Sequence, residues 1–183
     1  MKKFIPVILV LVLAGSAHAI MDISAGIYGG INAPIIQENV KTGTGFGFKA
    51  KIAPIPLVAG ALFYEARKFG DPKQTVGGIT YTGKGGTVNV FGLEALLGST
   101  GGGIGPHFYA MGGISSFKWK RSNQPTFSKT GYNFGAGLEI VLPVGIGVEG
   151  QAKFEMVPNG SGASYKSGLV FVGLNYHLGL GVM

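Results

Sequence analysis

The most constraining feature of this sequence is a strict alternation of apolar and charged residues near its C-terminal end. The stretch GIGVEGQAKFEM, residues 145–156, has apolar or small side chains at every even position. From Glu149 onward, the odd positions carry only charged or amide side chains. A period of two predicts a β-strand with two unlike faces. In a soluble protein the apolar face would cover a core, whereas in a membrane barrel it would face lipid and the charges would fill the lumen.

Similar alternation recurs along the chain and predicts eight strands. They cover 21–33, 43–53, 57–68, 86–97, 106–118, 130–141, 145–156 and 166–178. Most hold ten to thirteen residues, close to the ~9–11 that cross a bilayer at a tilt and longer than the ~5–6 of ordinary soluble strands. The pattern leaves the facing of 106–118 open.

The connections between these strands alternate in kind. Those after the second, fourth and sixth strands are short and uncharged: PIP, GSTGGGIG and LPVG. The other connections are longer, polar and basic. Short periplasmic turns and longer outer loops are the plan of a bacterial outer-membrane barrel. We therefore predict an all-β, eight-stranded antiparallel up-and-down transmembrane barrel with both termini in the periplasm.

The N-terminal sequence MKKFIPVILVLVLAGSAHA is typical of a secretory signal peptide. It has two lysines, an apolar run over 4–13 and the small-x-small site Ala17-His18-Ala19. The apolar run is shorter than the roughly 20 residues that a membrane-spanning helix needs. We therefore predict a signal peptide at 1–19 and a barrel domain at 20–183.

Composition favours a membrane barrel over a soluble exported domain. Charged residues make up 13% of the chain, against about 25% in soluble domains. The 34 glycines lie largely within alternating segments, where glycine marks the bends that a small barrel requires. The chain has no cysteine, which excludes disulfides and thiol chemistry.

The segment GYNFGAGLEIVLPVGIGVEGQAKF, residues 131–154, resembles the penultimate hairpin of small outer-membrane barrels of Gram-negative bacteria, the opacity-like and OmpA-barrel-like proteins. The Gly-x-Gly-Leu-Glu strand, the proline turn and the alternating strand with glutamates carry the resemblance. It implies an outer-membrane location, insertion by the outer-membrane insertion machinery and a monomer. Family members end on an aromatic residue that this machinery recognises. Here the chain ends NYHLGLGVM, and Tyr176 would take that part.

With lipid outside, the polar faces of the strands would fill the lumen. The predicted lumen residues are four cations, five acids and one amide: Lys49, Lys51, Glu65, Arg67, Glu94, Glu139, Glu149, Gln151, Lys153 and Glu155. Side chains fill a barrel of eight strands, and paired charges satisfy one another there. We predict a plugged interior; a narrow ion path along these charges is the alternative.

The long loops and adjoining strand tips predict a basic rim. Its residues are Lys41, Lys68, Lys73, Lys84, Lys118, Trp119, Lys120, Arg121, Lys129 and Lys166, against the acids Glu38 and Asp71. Such a rim would bind the phosphates of outer-membrane lipopolysaccharide or another anionic surface ligand; the alternative is ordinary solvated charge. Nucleic acid is not expected as a partner in this compartment. The aromatic residues are predicted to form interfacial girdles: Tyr28, Tyr64, Phe108, Phe117, Trp119, Tyr132, Tyr165 and Tyr176.

No catalytic or metal-binding pattern stands out in the sequence. Only His107 and His177 follow the signal peptide, and neither has a serine two residues away, unlike the barrels that deacylate lipid A. We expect no enzyme activity, metal or cofactor, with His107 at the periplasmic end of a strand and His177 in the lumen or at the interface. A structural or surface-interaction role is the leading hypothesis. A small passive channel and a soluble periplasmic lipocalin-like carrier are the alternatives.

Overall fold

The computed structural model describes residues 22–35, 41–71, 73–76, 79–82, 86–100, 103–120, 126–158 and 164–178. The predicted signal peptide lies outside them. Within them no helix is long and apolar enough to cross a membrane. The strands are β1 Asp22–Pro34, β2 Lys41–Ile55, β3 Val58–Gly70, β4 Lys73–Val76, β5 Ile79–Thr82, β6 Thr87–Gly98, β7 Gly105–Lys120, β8 Phe127–Val141, β9 Ile146–Pro158 and β10 Ser164–His177.

Eight of these strands close into an antiparallel barrel, which confirms the predicted fold. The order around the barrel is β1-β10-β9-β8-β7-β6-β3-β2. The seam between the first and last strands is paired from Ser24 with His177 to Pro34 with Ser167. Because the barrel has no open edge, its strand backbones satisfy their hydrogen bonds internally. All eight predicted strands are present, with lengths of 12 to 16 residues.

The remaining two strands form a hairpin that the sequence interpretation missed. β4 and β5 lie in the connection between β3 and β6 and pair from Lys73 with Thr82 to Val76 with Ile79. The sequence carries a signal for this hairpin, because Val76 and Ile79 flank a Gly-Gly pair. Two such residues between β-prone segments are typical of a tight hairpin.

The barrel is apolar outside and polar inside. Ile27 and Phe46 are each 69% exposed on the outer wall, whereas Glu65 and Glu155 are fully buried. This is the reverse of the soluble-carrier alternative, in which the apolar faces would point inward. The facing of β7, which the sequence left open, follows the same rule, with even positions such as Phe108 outward.

The two ends of the barrel differ in construction. The end that carries the short connections is here called the turn end, and the opposite end the loop end. Gly98, Gly105 and Gly145 have positive φ angles and all lie at the turn end. A Cβ atom on Gly98 would lie 2.3 Å from the Phe108 carbonyl oxygen, so only glycine fits there. The Gly98 N–H donates to the Leu57 carbonyl at 3.0 Å, which joins two neighbouring turns.

Candidate functional site: the charged lumen and the basic rim

All ten predicted lumen residues lie buried on the inner face of the barrel. Their charged side chains form two connected groups, one towards the loop end and one towards the turn end. Asp22 and His177 are also buried with them. Every charged side chain in this set has an oppositely charged partner within 4 Å. Pairing of this kind offsets the large cost of removing charges from water.

The group towards the loop end is organised by Arg67. Its Nη1 and Nη2 atoms donate to the two carboxylate oxygens of Glu155 at 2.6 and 2.7 Å. Its Nε atom donates to Glu65 at 2.8 Å, and Nη2 also contacts Glu65. A guanidinium matches carboxylates in this two-pronged geometry, which a lysine ammonium group does not reproduce. Arg67 therefore links β3 to β9 across the lumen.

Lys153 completes this group from the opposite wall. Its Nζ atom donates to Glu65 at 2.7 Å and to Glu94 at 3.2 Å. The Tyr28 hydroxyl donates to the same Glu65 oxygen at 2.8 Å. The Lys153 ammonium group also lies 4.2 Å from the centroid of the Phe63 ring, within range of a cation–π attraction. Strands β1, β3 and β9 thereby meet at the Glu65 carboxylate, and Lys153 links them to Glu94 on β6.

The group towards the turn end contains two lysines of β2. Lys49 donates to Glu149 at 2.7 Å. Lys51 donates to Glu139 and lies 3.9 Å from Glu149. The Tyr109 hydroxyl donates to the second oxygen of Glu149. Each carboxylate thus accepts bonds from more than one strand, which crosslinks the barrel through its interior.

His177 on β10 connects the β1–β10 seam of the barrel to this group by hydrogen bonds. Its Nδ1 atom lies 2.8 Å from Asp22 on β1, and its Nε2 atom lies 2.9 Å from Glu139 on β8. The Asn175 amide donates to the same Glu139 oxygen at 2.6 Å. The sequence analysis did not include Asp22 or Asn175 among the site residues. Both have the inward parity of their strands, which is the signal that identifies them.

Aromatic side chains close the lumen at the loop end. The Trp119 ring stacks on Phe69, with centroids 6.1 Å apart, and contacts Tyr165 at 5.7 Å. Beneath them, above Arg67 and Glu155, a recess of about 10 Å³ remains, which is room for about one water molecule. Side chains of the two charged groups and of this aromatic cluster therefore occupy the lumen along the described strands.

The predicted aromatic girdle needs correction at four positions. Tyr28 and Phe117 are buried inside the barrel rather than at a lipid interface. Trp119 and Tyr165 pack against the inward-facing cluster of Phe69 and its neighbours. Each of the four has the inward parity of its strand, and this parity outweighs the general preference of aromatic residues for the interface. Phe108 and Tyr132 are exposed on the outer wall, as predicted.

Strand alternation also divides the predicted basic cluster between two faces. Lys118 and Lys120 are exposed on the outer wall, while Trp119 between them turns towards the lumen. Lys68 is exposed on the outer wall of β3. These three lysines are here called the wall lysines. In the described part of the chain, none of them has an ion-pair partner.

The other rim residues are distributed around the loop end. Lys41 is exposed at the start of β2, beside an irregularity in its pairing with β3. Lys129 is partly exposed. It pairs in register with Phe117 and therefore lies on the same, inward face of the sheet. Lys166 is partly exposed near the start of β10. Lys73 begins β4, and Lys84 and Arg121 lie outside the described residues, as does Glu38.

His107 makes the one serine contact seen for a histidine among the described residues. Its Nδ1 atom lies 2.9 Å from the Ser99 hydroxyl, and its Nε2 atom lies 2.8 Å from the Gly103 carbonyl oxygen. The site lies at the turn end, where His107 is buried. A catalytic triad would place an orienting carboxylate where this histidine meets a backbone carbonyl. The contact instead ties the connection between β6 and β7 to the barrel.

Comparisons with known proteins agree with this architecture. No protein-family model and no curated protein sequence matches the chain. The N-terminal β-barrel domain of Pseudomonas aeruginosa OprF is 16% identical, with a TM-score of 0.54 over 84% of this chain and 97% of that chain. Neisserial surface protein A is 11% identical, with a TM-score of 0.57 over 85% and 96%.

A third solved structure, a major outer membrane protein from Thermus thermophilus, is 12% identical, with a TM-score of 0.54 over 86% of this chain and 99% of that chain. The chain has the fold of a small outer-membrane β-barrel. At these identities the similarity is one of fold, so any role must be argued from this chain's own residues.

Proposed function

We propose that this protein is a non-enzymatic, integral outer-membrane barrel with a closed lumen, whose basic loop end binds anionic molecules of the outer leaflet, lipopolysaccharide in particular. One observation carries the proposal: charges inside the barrel are paired with each other, whereas the wall lysines have no ion-pair partner among the described residues. Paired charges stabilise the fold, whereas cations without an ion-pair partner are available to bind a ligand.

The apolar outer wall supports the membrane location. Its outward positions carry large apolar side chains on every barrel strand, such as Phe48, Leu93 and Val172. A monomeric soluble protein rarely exposes so continuous an apolar surface. Electrophoresis of the outer-membrane fraction in SDS tests this location. A closed barrel should migrate faster unboiled than boiled, because its internal hydrogen bonds resist SDS until heated. Recovery in the soluble periplasm, without a heat-dependent shift, would contradict the proposal.

The segregation of charge supports the ligand class. Among the described residues, Asp71 is the one acid exposed at the loop end, and the other acids are buried in the lumen. The outer leaflet of a Gram-negative bacterium carries phosphate groups, so an excess of cations at this end complements it. Exposed charges act within about 8–10 Å at physiological salt, which favours a ligand that contacts the rim directly.

Substitution of the densest basic cluster tests the binding. We expect Lys118→Gln, Lys120→Gln and Arg121→Gln in one chain to weaken lipopolysaccharide binding, and added salt to weaken the wild-type binding in the same direction. Binding is measured by titration of the folded, purified barrel, with the heat-dependent gel shift as the control for folding. Unchanged affinity in the triple variant would remove the lipopolysaccharide proposal while leaving the barrel intact.

A further inference from the structure

We infer that the loop end of the outer wall formed by β3, β6, β7 and β8 is a binding site for one phosphate-bearing, acylated lipid. The inference rests on the proposed function, because it requires the barrel to stand in a leaflet that contains such lipids. It goes further by assigning the ligand to one side of the barrel and by giving each part of the lipid its own contact surface.

The wall lysines form a compact group on adjacent strands. Thr87 of β6 pairs in register with both Lys68 on β3 and Lys120 on β7, and Asn89 pairs with Lys118. Neighbouring strands lie about 4.8 Å apart, so the backbones of Lys68 and Lys120 are about 10 Å apart. Lys118 and Lys120 are two positions apart on the same face, or about 7 Å. Flexible four-carbon stems allow three ammonium groups at these spacings to converge on one phosphate.

Exposed hydroxyl groups continue this polar surface towards the membrane. Ser128 pairs in register with Lys118, and Thr130 pairs with Ser116. The Ser116 and Ser128 hydroxyls lie 3.5 Å apart, and all three hydroxyl residues are exposed on the outer wall. Hydroxyl groups that face hydrocarbon without a partner are costly. Ser128 lies level with Lys118, and Ser116 and Thr130 lie two positions below it, which fits the polar linkage region of a lipid.

An open groove begins at these hydroxyl groups and runs towards the turn end. It has a volume of about 250 Å³ and is lined on its apolar side by Phe91, Leu93 and Ile114. Register pairs Phe91 with Ser116 and Leu93 with Ile114, so the groove follows the boundary of β6 and β7 directly below the lysines. A linear acyl chain fits a groove of this shape and polarity.

The order of these features along the wall favours a lipid over a soluble anion. Cations stand at the rim, hydroxyl groups lie below them and the apolar groove lies below the hydroxyl groups. A lipid of the outer leaflet presents phosphate, polar linkage and acyl chain in that order. A soluble phosphate would use the lysines alone. Asp71 is the one exposed acid among the described residues, so cations outnumber acids at this end of the wall.

Two variants with equal loss of charge test the assignment to this wall. The wall variant carries Lys68→Gln, Lys118→Gln and Lys120→Gln, and the matched control carries Lys41→Gln, Lys129→Gln and Lys166→Gln. Folded barrels in detergent micelles are titrated with lipopolysaccharide and with the same lipid after enzymatic dephosphorylation. A lysine near an anionic lipid surface contributes about fivefold in affinity. We expect the wall variant to lose on the order of a hundredfold, and the control variant to lose less than about fivefold.

A second pair of variants tests the groove. Ser116→Phe fills it, whereas Ala110→Phe adds the same ring to the outer wall of the same strand, outside the groove. We expect Ser116→Phe to weaken binding of the phosphorylated lipid about tenfold or more, as expected when about two acyl CH2 groups lose their contact, and Ala110→Phe to leave it unchanged. Inorganic phosphate, added at the lipid's concentration, should not displace the lipid. The heat-dependent gel shift verifies that each variant is folded.

The outcomes separate this inference from the proposed function. Equal losses in both triple variants would overturn the wall site but leave the proposed function standing, with binding by a diffuse basic rim. No loss in either triple variant would overturn both. Equal affinity for the dephosphorylated lipid, binding unaffected by Ser116→Phe, or displacement by inorganic phosphate would overturn the acylated, phosphate-bearing ligand. The expected pattern requires a loss in the wall variant, in Ser116→Phe and on dephosphorylation.

Discussion

Cationic side chains are paired and buried in the lumen, whereas on the outer wall they are exposed and have no ion-pair partner among the described residues. Arg67 and Lys68 are neighbours in β3, yet Arg67 is buried between two carboxylates and Lys68 is exposed on the wall. Lys153 likewise lies in the lumen with Glu65 and Glu94 as its partners. Alternation along a strand is sufficient to send adjacent residues into these two environments.

The difference indicates which charges stabilise the fold and which are available to a ligand. A buried cation whose partners surround it cannot be removed without leaving those partners uncompensated. An exposed cation outside any pair contributes little to stability. The comparison therefore predicts large stability effects and unchanged lipid affinity for lumen substitutions in barrels that remain folded. It predicts the reverse for wall substitutions.

Arg67→Met should produce the largest effect, because it leaves the buried carboxylates of Glu65 and Glu155 without their main partner. We expect the free energy of unfolding to fall by about 3–5 kcal/mol. Denaturant unfolding of the barrel in lipid vesicles, followed by tryptophan fluorescence and the heat-dependent gel shift, measures it. Lys68→Met is the matched control, with an expected change within about 0.5 kcal/mol. Equal losses of unfolding free energy in Arg67→Met and Lys68→Met would contradict the distinction between lumen and wall cations.

Removing both charges of the Lys49–Glu149 ion pair tests whether a buried pair in the lumen contributes coupling energy. Lys49→Met alone leaves Glu149 with only the more distant Lys51 as a cationic partner. The double variant with Glu149→Met removes both charges. We expect the double variant to be more stable than the sum of the two single effects predicts, by about 1–3 kcal/mol. Additive effects in a double-mutant cycle would mean that this contact contributes no coupling energy.

Trp119→Ala should have an intermediate effect, because the Trp119 ring stacks on Phe69 and contacts Tyr165 where the lumen narrows. Aromatic pairs contribute about 0.5–1.5 kcal/mol each beyond their burial, so we expect a loss of about 1–3 kcal/mol in the same unfolding assay, followed here by the gel shift. Trp119→Phe keeps an aromatic ring and should lose less. An unchanged unfolding midpoint in Trp119→Ala would mean that the Trp119 ring does not contribute to the stability of the barrel.

The wall variant that lacks Lys68, Lys118 and Lys120 should show the smallest effect on stability. Without a phosphorylated lipid present, we expect its free energy of unfolding to match that of the wild type within about 1 kcal/mol, since single exposed charges contribute about 0–1 kcal/mol even when paired. Unfolding in vesicles of zwitterionic phospholipid measures this difference. A loss as large as that of Arg67→Met would assign the wall lysines to the fold.

The sequence predicted the barrel and its lumen through one periodicity. The alternation along the chain and the contrast between short and long connections were sufficient for the strand number and for the facing of every strand except β7. The β4–β5 hairpin was missed because its four-residue strands are shorter than the barrel strands that the alternation was used to find. Tyr28 and Tyr165 were wrongly assigned because residue type was given more weight than strand parity, and Phe117 and Trp119 because the facing of their strand was left open.

The specific pairs inside the barrel could not be predicted from the sequence. Arg67 and Glu155 are 88 positions apart, as are Glu65 and Lys153. Which side chains meet across the lumen depends on the stagger of eight strands, which is fixed only when the barrel closes. The alternation assigns a residue to the inner face but gives neither its height in the lumen nor its partner.

Conductance of the wild-type barrel in a planar lipid bilayer tests most directly that the lumen is closed and that ligands meet the protein from outside. The two charged groups occupy the lumen, and the recess beneath Trp119 has room for about one water molecule. The folded protein should therefore give no steady, reproducible conductance above the background of the bilayer. A stable conductance that scales with the amount of inserted barrel would contradict the closed lumen and would make the lumen charges an ion path.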